Sequence, residues 1–290
     1  MGVYQECKVS STAGKNTGAK EQCFEGLFIR PALAVLGFSF ASADEAKDIA
    51  NWNTAIAEKK IIPLYDVEEF ASANTEDTFF EGRTKKYRTA IGKKSSTFSS
   101  FLGLCSHSAL KSYHGKEMQL FEFTEDGAIK AVINADGSIK GQKVNLMVGK
   151  RVDATADRPP STLVTIDYND ADEFEDNGAI LRPTWESSEI YGIFDVEIAQ
   201  VSASATVIEV TVQEGCAGAG EKLTSLVDGD LVVKNGAGEI VSVSFVTADA
   251  NGVYQLSGTG FTTGHTVSLN GVVSNLGMSY EAPQPLTITV

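Results

Sequence analysis

Apolar residues recur at every second position through much of this chain, and turn residues punctuate the runs. The clearest stretch is Met118 to Tyr168. Asp126-Gly127 and Asp136-Gly137 each separate short alternating segments there, and Asp-Gly readily takes the positive φ angles of tight hairpins. Ile129, Ala131 and Ile133 share one face of one run, and Val144, Leu146 and Val148 share one face of the next. Thr162, Val164, Ile166 and Tyr168 supply a further strand. The pattern predicts a β-meander.

Upstream, Leu27 to Ala41 is the most apolar run. Arg30 and Pro31 interrupt it, and its fifteen residues fall short of the roughly 20 that a membrane span needs, so it reads as one or two buried strands. One helix is predicted, over Ala43 to Lys60. Ser42 and Glu45 have capping-box spacing, Ile49, Trp52 and Ile56 make a single apolar stripe, and Lys59 and Lys60 sit where cations favour the helix dipole. Ile61 to Tyr65 is another strand. Asp66 to Ser100 shows no period and reads as a long loop, and loops beyond about 15 residues in compact domains are usually functional or unstructured.

Residues 1–25 are polar and read as an extended arm. Glu189 to Val201 reads as a long strand that closes the domain begun at residue 26. From Ser202 the texture changes: small residues, Val and Gly dominate, and about seven short strands fit into ~90 residues, as in an immunoglobulin-like sandwich. The expected fold class is therefore mainly β. A β-sandwich or barrel-like domain with one flanking α-helix covers 26–201, and a C-terminal Ig-like β-sandwich covers 202–290.

Charge sharpens this picture. The net charge is −14, yet residues 1–150 carry 19 Lys and Arg against 18 Asp and Glu, whereas residues 151–290 carry 5 against 20. Such a chain repels the outside of a nucleic acid. The bases that do cluster lie in the 66–100 loop: Arg83, Lys85, Lys86, Arg88, Lys93 and Lys94. They are candidates for meeting acids on another copy of the same chain. The acids of residues 151–200 are the matching supply, with Asp167, Asp170, Asp172, Glu173, Glu175 and Asp176 as the densest group.

Catalytic signatures are missing. The chain has no GxSxG, no GxxxxGK[ST] and no HExxH, so the serine nucleophile elbow, the P-loop and the zincin site are missing. The paired carboxylates that a glycosidase needs are abundant, but no pair stands out from the acidic background. Cys105, His107 and His114 match no recurrent metal spacing, and the acidic run Asn169 to Asn177 lacks the EF-hand order. Cys7, Cys23, Cys105 and Cys216 are scattered without a CxxC pair, which predicts free thiols. No charged start followed by an apolar core reads as a secretion signal. The reading is a non-enzyme with no cofactor and no metal.

The layout of helix 43–60, loop 66–100, sheet 118–201 and the domain from Ser202 resembles the tail tube (major tail) proteins of long-tailed bacteriophages. The resemblance implies a virion structural protein, assembled in the host cytoplasm, whose copies form stacked hexameric rings. The rings make a tube that contacts other tail proteins and passes DNA without specific binding or any membrane. It carries over no site residues, because that family is not defined by catalytic ones. The acids of 151–200 are then expected to line the lumen. Another virion component (head decoration, connector or baseplate) and a surface adhesin or carbohydrate-binding Ig-like protein are the alternatives.

Overall fold

The computed structural model describes residues 26–215, 220–275 and 278–290. The arm expected over residues 1–25 lies outside them, as does Cys216. The fold is mainly β. The chain divides into two compact units, the first reaching Ile190 and the second covering Tyr191–Val290, with the three residues Ile56–Glu58 grouped with the second.

The first unit holds β1 (Phe28–Ala34), α1 (Ala43–Lys47), α2 (Ile49–Ala57), β2 (Ile61–Pro63), β3 (Glu69–Ser72), β4 (Thr78–Glu81), β5 (Lys86–Ala90) and β6 (Ser95–Phe101). After these come α3 (Leu104–Lys111), β7 (Glu117–Thr124), β8 (Ile129–Ile133), β9 (Ile139–Lys140), β10 (Gln142–Val152), β11 (Ser161–Tyr168), α4 (Glu173–Asn177) and β12 (Gly178–Leu181).

Ten of these strands form one sheet, with β7 at its fork. One edge of β7 pairs with β1, from Phe28↔Thr124 to Ala34↔Gln119. Its other edge pairs first with β10, Gln142↔Leu120 to Asn145↔Glu117, and then with β8, Glu122↔Lys130 and Phe123↔Ile129. The stretch from Met118 to Tyr168 is thus a meander with β8 and β9 branching off it, because β10 returns to β7. Gly141 stands at the branch, where an added Cβ would lie 2.7 Å from the Leu120 backbone nitrogen. Only glycine allows that approach.

Strand β7 is buried from Met118 to Thr124, and period-2 alternation sends its side chains into two cores. Met118 and Leu120 join Phe28, Leu33, Phe98, Val144, Leu146, Val164 and Ile166 in one. Phe121 and Phe123 face the other, where Trp52 stacks at 5.2 and 5.3 Å, and Phe40 and Trp185 complete the aromatic cluster. Glu122 is buried as well. Lys130 pairs with it at 3.0 Å and the Tyr168 hydroxyl donates to it at 2.6 Å, which is what a carboxylate in an apolar surround requires.

The helix expected over 43–60 is two helices. Asp48 interrupts it with extended backbone, φ −90° and ψ 117°. Its side chain accepts from the Ala50 amide at 3.0 Å, so it ends α1 and caps α2. The break lets the Trp52 indole donate to the Ala46 carbonyl at 2.8 Å. Ser42 accepts from the Glu45 amide, and the Glu45 carboxylate accepts from Ala41 rather than from Ser42. Past α2, Lys59 takes a left-handed φ of 59°, and the chain turns into β2.

The second unit contains β13 (Ile193–Ala203), β14 (Val207–Glu214), β15 (Leu231–Lys234), β16 (Ile240–Val241), β17 (Ser244–Val246), β18 (Val253–Ser257), β19 (Thr266–Leu269), β20 (Val273–Asn275), β21 (Met278–Glu281) and β22 (Leu286–Thr287). They form two sheets, β17-β18-β14-β13-β21-β20 and β16-β15-β19-β22, around one core from both. The expected boundary at Ser202 falls inside β13. That strand was expected to close the first domain, but it pairs with β14 from Val196↔Glu214 to Ala203↔Ile208 and with β21 in parallel.

Candidate assembly interface

Asp66 to Ser100 is not an irregular loop. Strand β3 pairs with β6, and β4 pairs with β5. Backbone hydrogen bonds Ala73→Ser95 and Thr75→Lys93, both 2.9 Å, carry the ladder between them. The result is one two-stranded ribbon from Glu69 to Phe101. Its tip closes tightly, the Gly82 amide donating to the Lys85 carbonyl at 3.0 Å. Ten residues from Ala73 to Gly82 at ~3.3 Å each let it reach ~33 Å beyond the β3–β6 pair.

No residue from Glu68 to Lys93 is buried. The pairing sorts the side chains into two faces. Phe80 opposes Tyr87 on one, with the Lys85 ammonium 5.0 Å from the Tyr87 ring centre. Phe79 opposes Arg88 and Glu81 opposes Lys86 on the other. Phe79, Phe80 and Tyr87 are 52%, 62% and 48% exposed, and Ile91 is also exposed. An isolated hairpin is at best marginally stable in water, and exposed clustered aromatics mark contact surfaces.

The six candidate bases therefore occupy different places. Lys86 pairs with Glu81 at 2.5 Å and Arg88 with Asp77 at 3.2 Å, both within the ribbon. Arg83 and Lys85 stand at the tip with no carboxylate partner among the described residues. Lys93 is exposed on the stem. Lys94 lies at the root, 4.8 Å from the Tyr168 ring and 5.5 Å from that of Phe174.

The acids are also divided. Asp167 sits half-buried on β11 between Asn145 and Ser95. Asp170, Asp172, Glu175 and Asp176 are exposed around α4. Glu173 is engaged, pairing with Lys140 at 2.8 Å and accepting from the Lys143 amide at 3.0 Å. With Lys130 4.9 Å from the Phe174 ring, lysines of the same unit already stand beside this acidic segment.

Asp77 fastens the ribbon's neck. It accepts from the Gly92 amide at 2.6 Å as well as from Arg88. The Gly92 hydrogen bond, then that of Arg88, hold its pKa below the ordinary aspartate value. A depressed carboxylate contributes its stability above the unfolded-state pKa and loses it as pH falls through the folded value. Amide protection over residues 78–92 is therefore expected to drop on acidification through the aspartate range. In Asp77→Asn it is low at every pH. Hydrogen-exchange protection factors measure both, and a pH-independent wild type would contradict the assignment.

Sequence reasoning missed the aromatic face, because Phe79 and Phe80 are adjacent and follow neither period. His107 bonds Thr162 at 2.8 Å, and His114 accepts from the Val148 amide at 3.0 Å. Cys105 is disulfide-bonded, so the expectation of free thiols fails at that position. No family model matches the chain, and no curated protein matches it either.

Proposed function

We propose that this chain is a virion structural protein whose copies assemble into stacked rings of a phage tail tube. One observation carries the reading. A ribbon of defined pairing leaves the first unit's sheet with no buried residue from Ala73 to Lys93, and it displays Phe79, Phe80 and Tyr87 to solvent. Beyond Ser72 the ribbon is ordered by its pairing but has no buried residue as far as Lys93, and burial against another subunit explains such a segment. A patch meeting a different patch on the next copy is a heterologous contact, which closes into rings or stacks into filaments. The strong negative charge of residues 151–290 suits a wall that passes DNA without holding it.

The chemistry supports a partner-binding rather than a catalytic role, with the chain's own copies and other tail proteins as partners. Among the described residues, no helix is long and apolar enough to cross a membrane. A disulfide at Cys105 suits virions and secreted proteins equally, so it does not favour an adhesin.

Negative-stain microscopy over a range of protein concentrations tests the reading. Rings or tubes are expected, and monodisperse monomers throughout would overturn it. A chain ending at Ile190 is expected to assemble as well, since the second unit has its own core. Loss of assembly in that truncation would make the second unit part of the wall.

A further inference from the structure

The ribbon's tip offers a specific pair of features, an aromatic face and two cations with no carboxylate partner among the described residues, and one cleft of the first unit offers their complement. The cleft, of about 610 Å3, lies between the α1–α2 break and residues 182–189. Ile49, Pro183 and Trp185 give it apolar surface, and Asp44, Asp48 and Glu189 give it carboxylates. Its two cations are already committed. Lys47 pairs with Asp44 at 2.7 Å, and Arg182 with Asp126 at 2.5 Å. Asp48 and Glu189 have no cation partner among the described residues, each accepting only a backbone amide.

We infer that this cleft receives the ribbon tip of a second copy of the chain, Phe80 and Tyr87 against the half-buried Ile49 and Pro183 over the edge of Trp185, and Arg83 and Lys85 against Asp48 and Glu189. The inference rests on the self-assembly reading and adds its receptor. Apolar contact supplies the burial and the charge pairs fix register and orientation. The acidic segment Asp170–Asp176 is the poorer receptor, because Lys140, Lys130 and Lys94 stand beside it. Tip and cleft are different surfaces of one subunit, so the contact propagates from copy to copy.

Two measurements test this. Carbodiimide coupling of wild-type assemblies mixed from 14N and 15N protein is expected to join Lys85 to Asp48 or Glu189 between copies. Joining Lys85 instead to acids of 170–176 overturns the inference. Charge reversal is the second: Arg83→Glu with Lys85→Glu, or Asp48→Lys with Glu189→Lys, should each raise the assembly threshold about tenfold, and combining all four should bring it back toward wild type. Circular dichroism establishes that each variant is folded. Tubes that form unchanged in both reversals, with no cleft cross-link, defeat the receptor while leaving the assembly reading intact. Wild-type protein that stays monomeric at every concentration defeats both.

Discussion

Joining Ser72 to Lys93 through an Asn-Gly turn, which removes residues 73–92, is expected to abolish self-association while the first unit stays folded. The removed residues bury nothing in their own subunit, and the β3–β6 pairing that anchors them is retained, from Glu69↔Ser99 to Ser72↔Ser96. Closing a short turn in place of a long excursion carries little entropic penalty. What disappears is Phe79, Phe80, Tyr87 and the tip cations together. Central aromatic anchors contribute roughly 2 kcal/mol or more each on truncation, so the assembly threshold should rise by about 100-fold or more. Sedimentation velocity reads that loss, and a thermal melt reads the intact fold. A shortened chain that assembles like the wild type would remove the ribbon from the mechanism.

The second large effect is on stability. Trp52→Ala is expected to destabilise the first unit by about 3–5 kcal/mol, the range for removing a buried Trp or Phe. Trp52 is fully buried and stacks within 6 Å of Phe40, Phe121, Phe123 and Trp185. The substitution also leaves the Ala46 carbonyl without its indole donor across the α1–α2 break. Urea unfolding measures it directly. The chain has 2 tryptophans, and Trp185 belongs to the same cluster, so the remaining indole follows the unit that was changed. A loss below about 1 kcal/mol would mean that the cluster relaxes around the gap.

How much of this was legible in the sequence differs from element to element. The hairpin turns were, because Asp-Gly is a local signal: Gly127 and Gly137 have φ of 74° and 89°. The core faces of β8 and β10 followed from alternation. The ribbon was not legible. Its turn, Arg83-Thr84 between Gly82 and Lys85, needs no residue at positive φ, and its solvated strands show no buried face for a period to mark. The break at Asp48 was hidden because the apolar stripe Ile49, Trp52 and Ile56 begins only after it, so Asp48 interrupts no period. The domain boundary was misplaced for another reason. Phe194, Val196 and Ile198 alternate as any strand does, and nothing local records that their partners lie in β14 and β21.

The aromatic face and the cleft that we assign to it show the same limit. Phe80 meets Tyr87 only through a register, and Asp48 meets Glu189 only through the fold. The first is short-range but hidden by an unmarked turn, and the second spans most of the first unit and is absent from any window of sequence.

The seating of β1 against β7 has a consequence for how the chain acquires its structure. Phe28 meets Thr124 and Ala34 meets Gln119, so one edge of the sheet closes only after everything between them has been traversed. Contacts of such separation slow folding toward the millisecond-to-second range. Until closure the edge of β7 is an open template for strand pairing, in the same molecule that carries an aromatic ribbon. Refolding yield should therefore fall as protein concentration rises, through a race between closure and encounter.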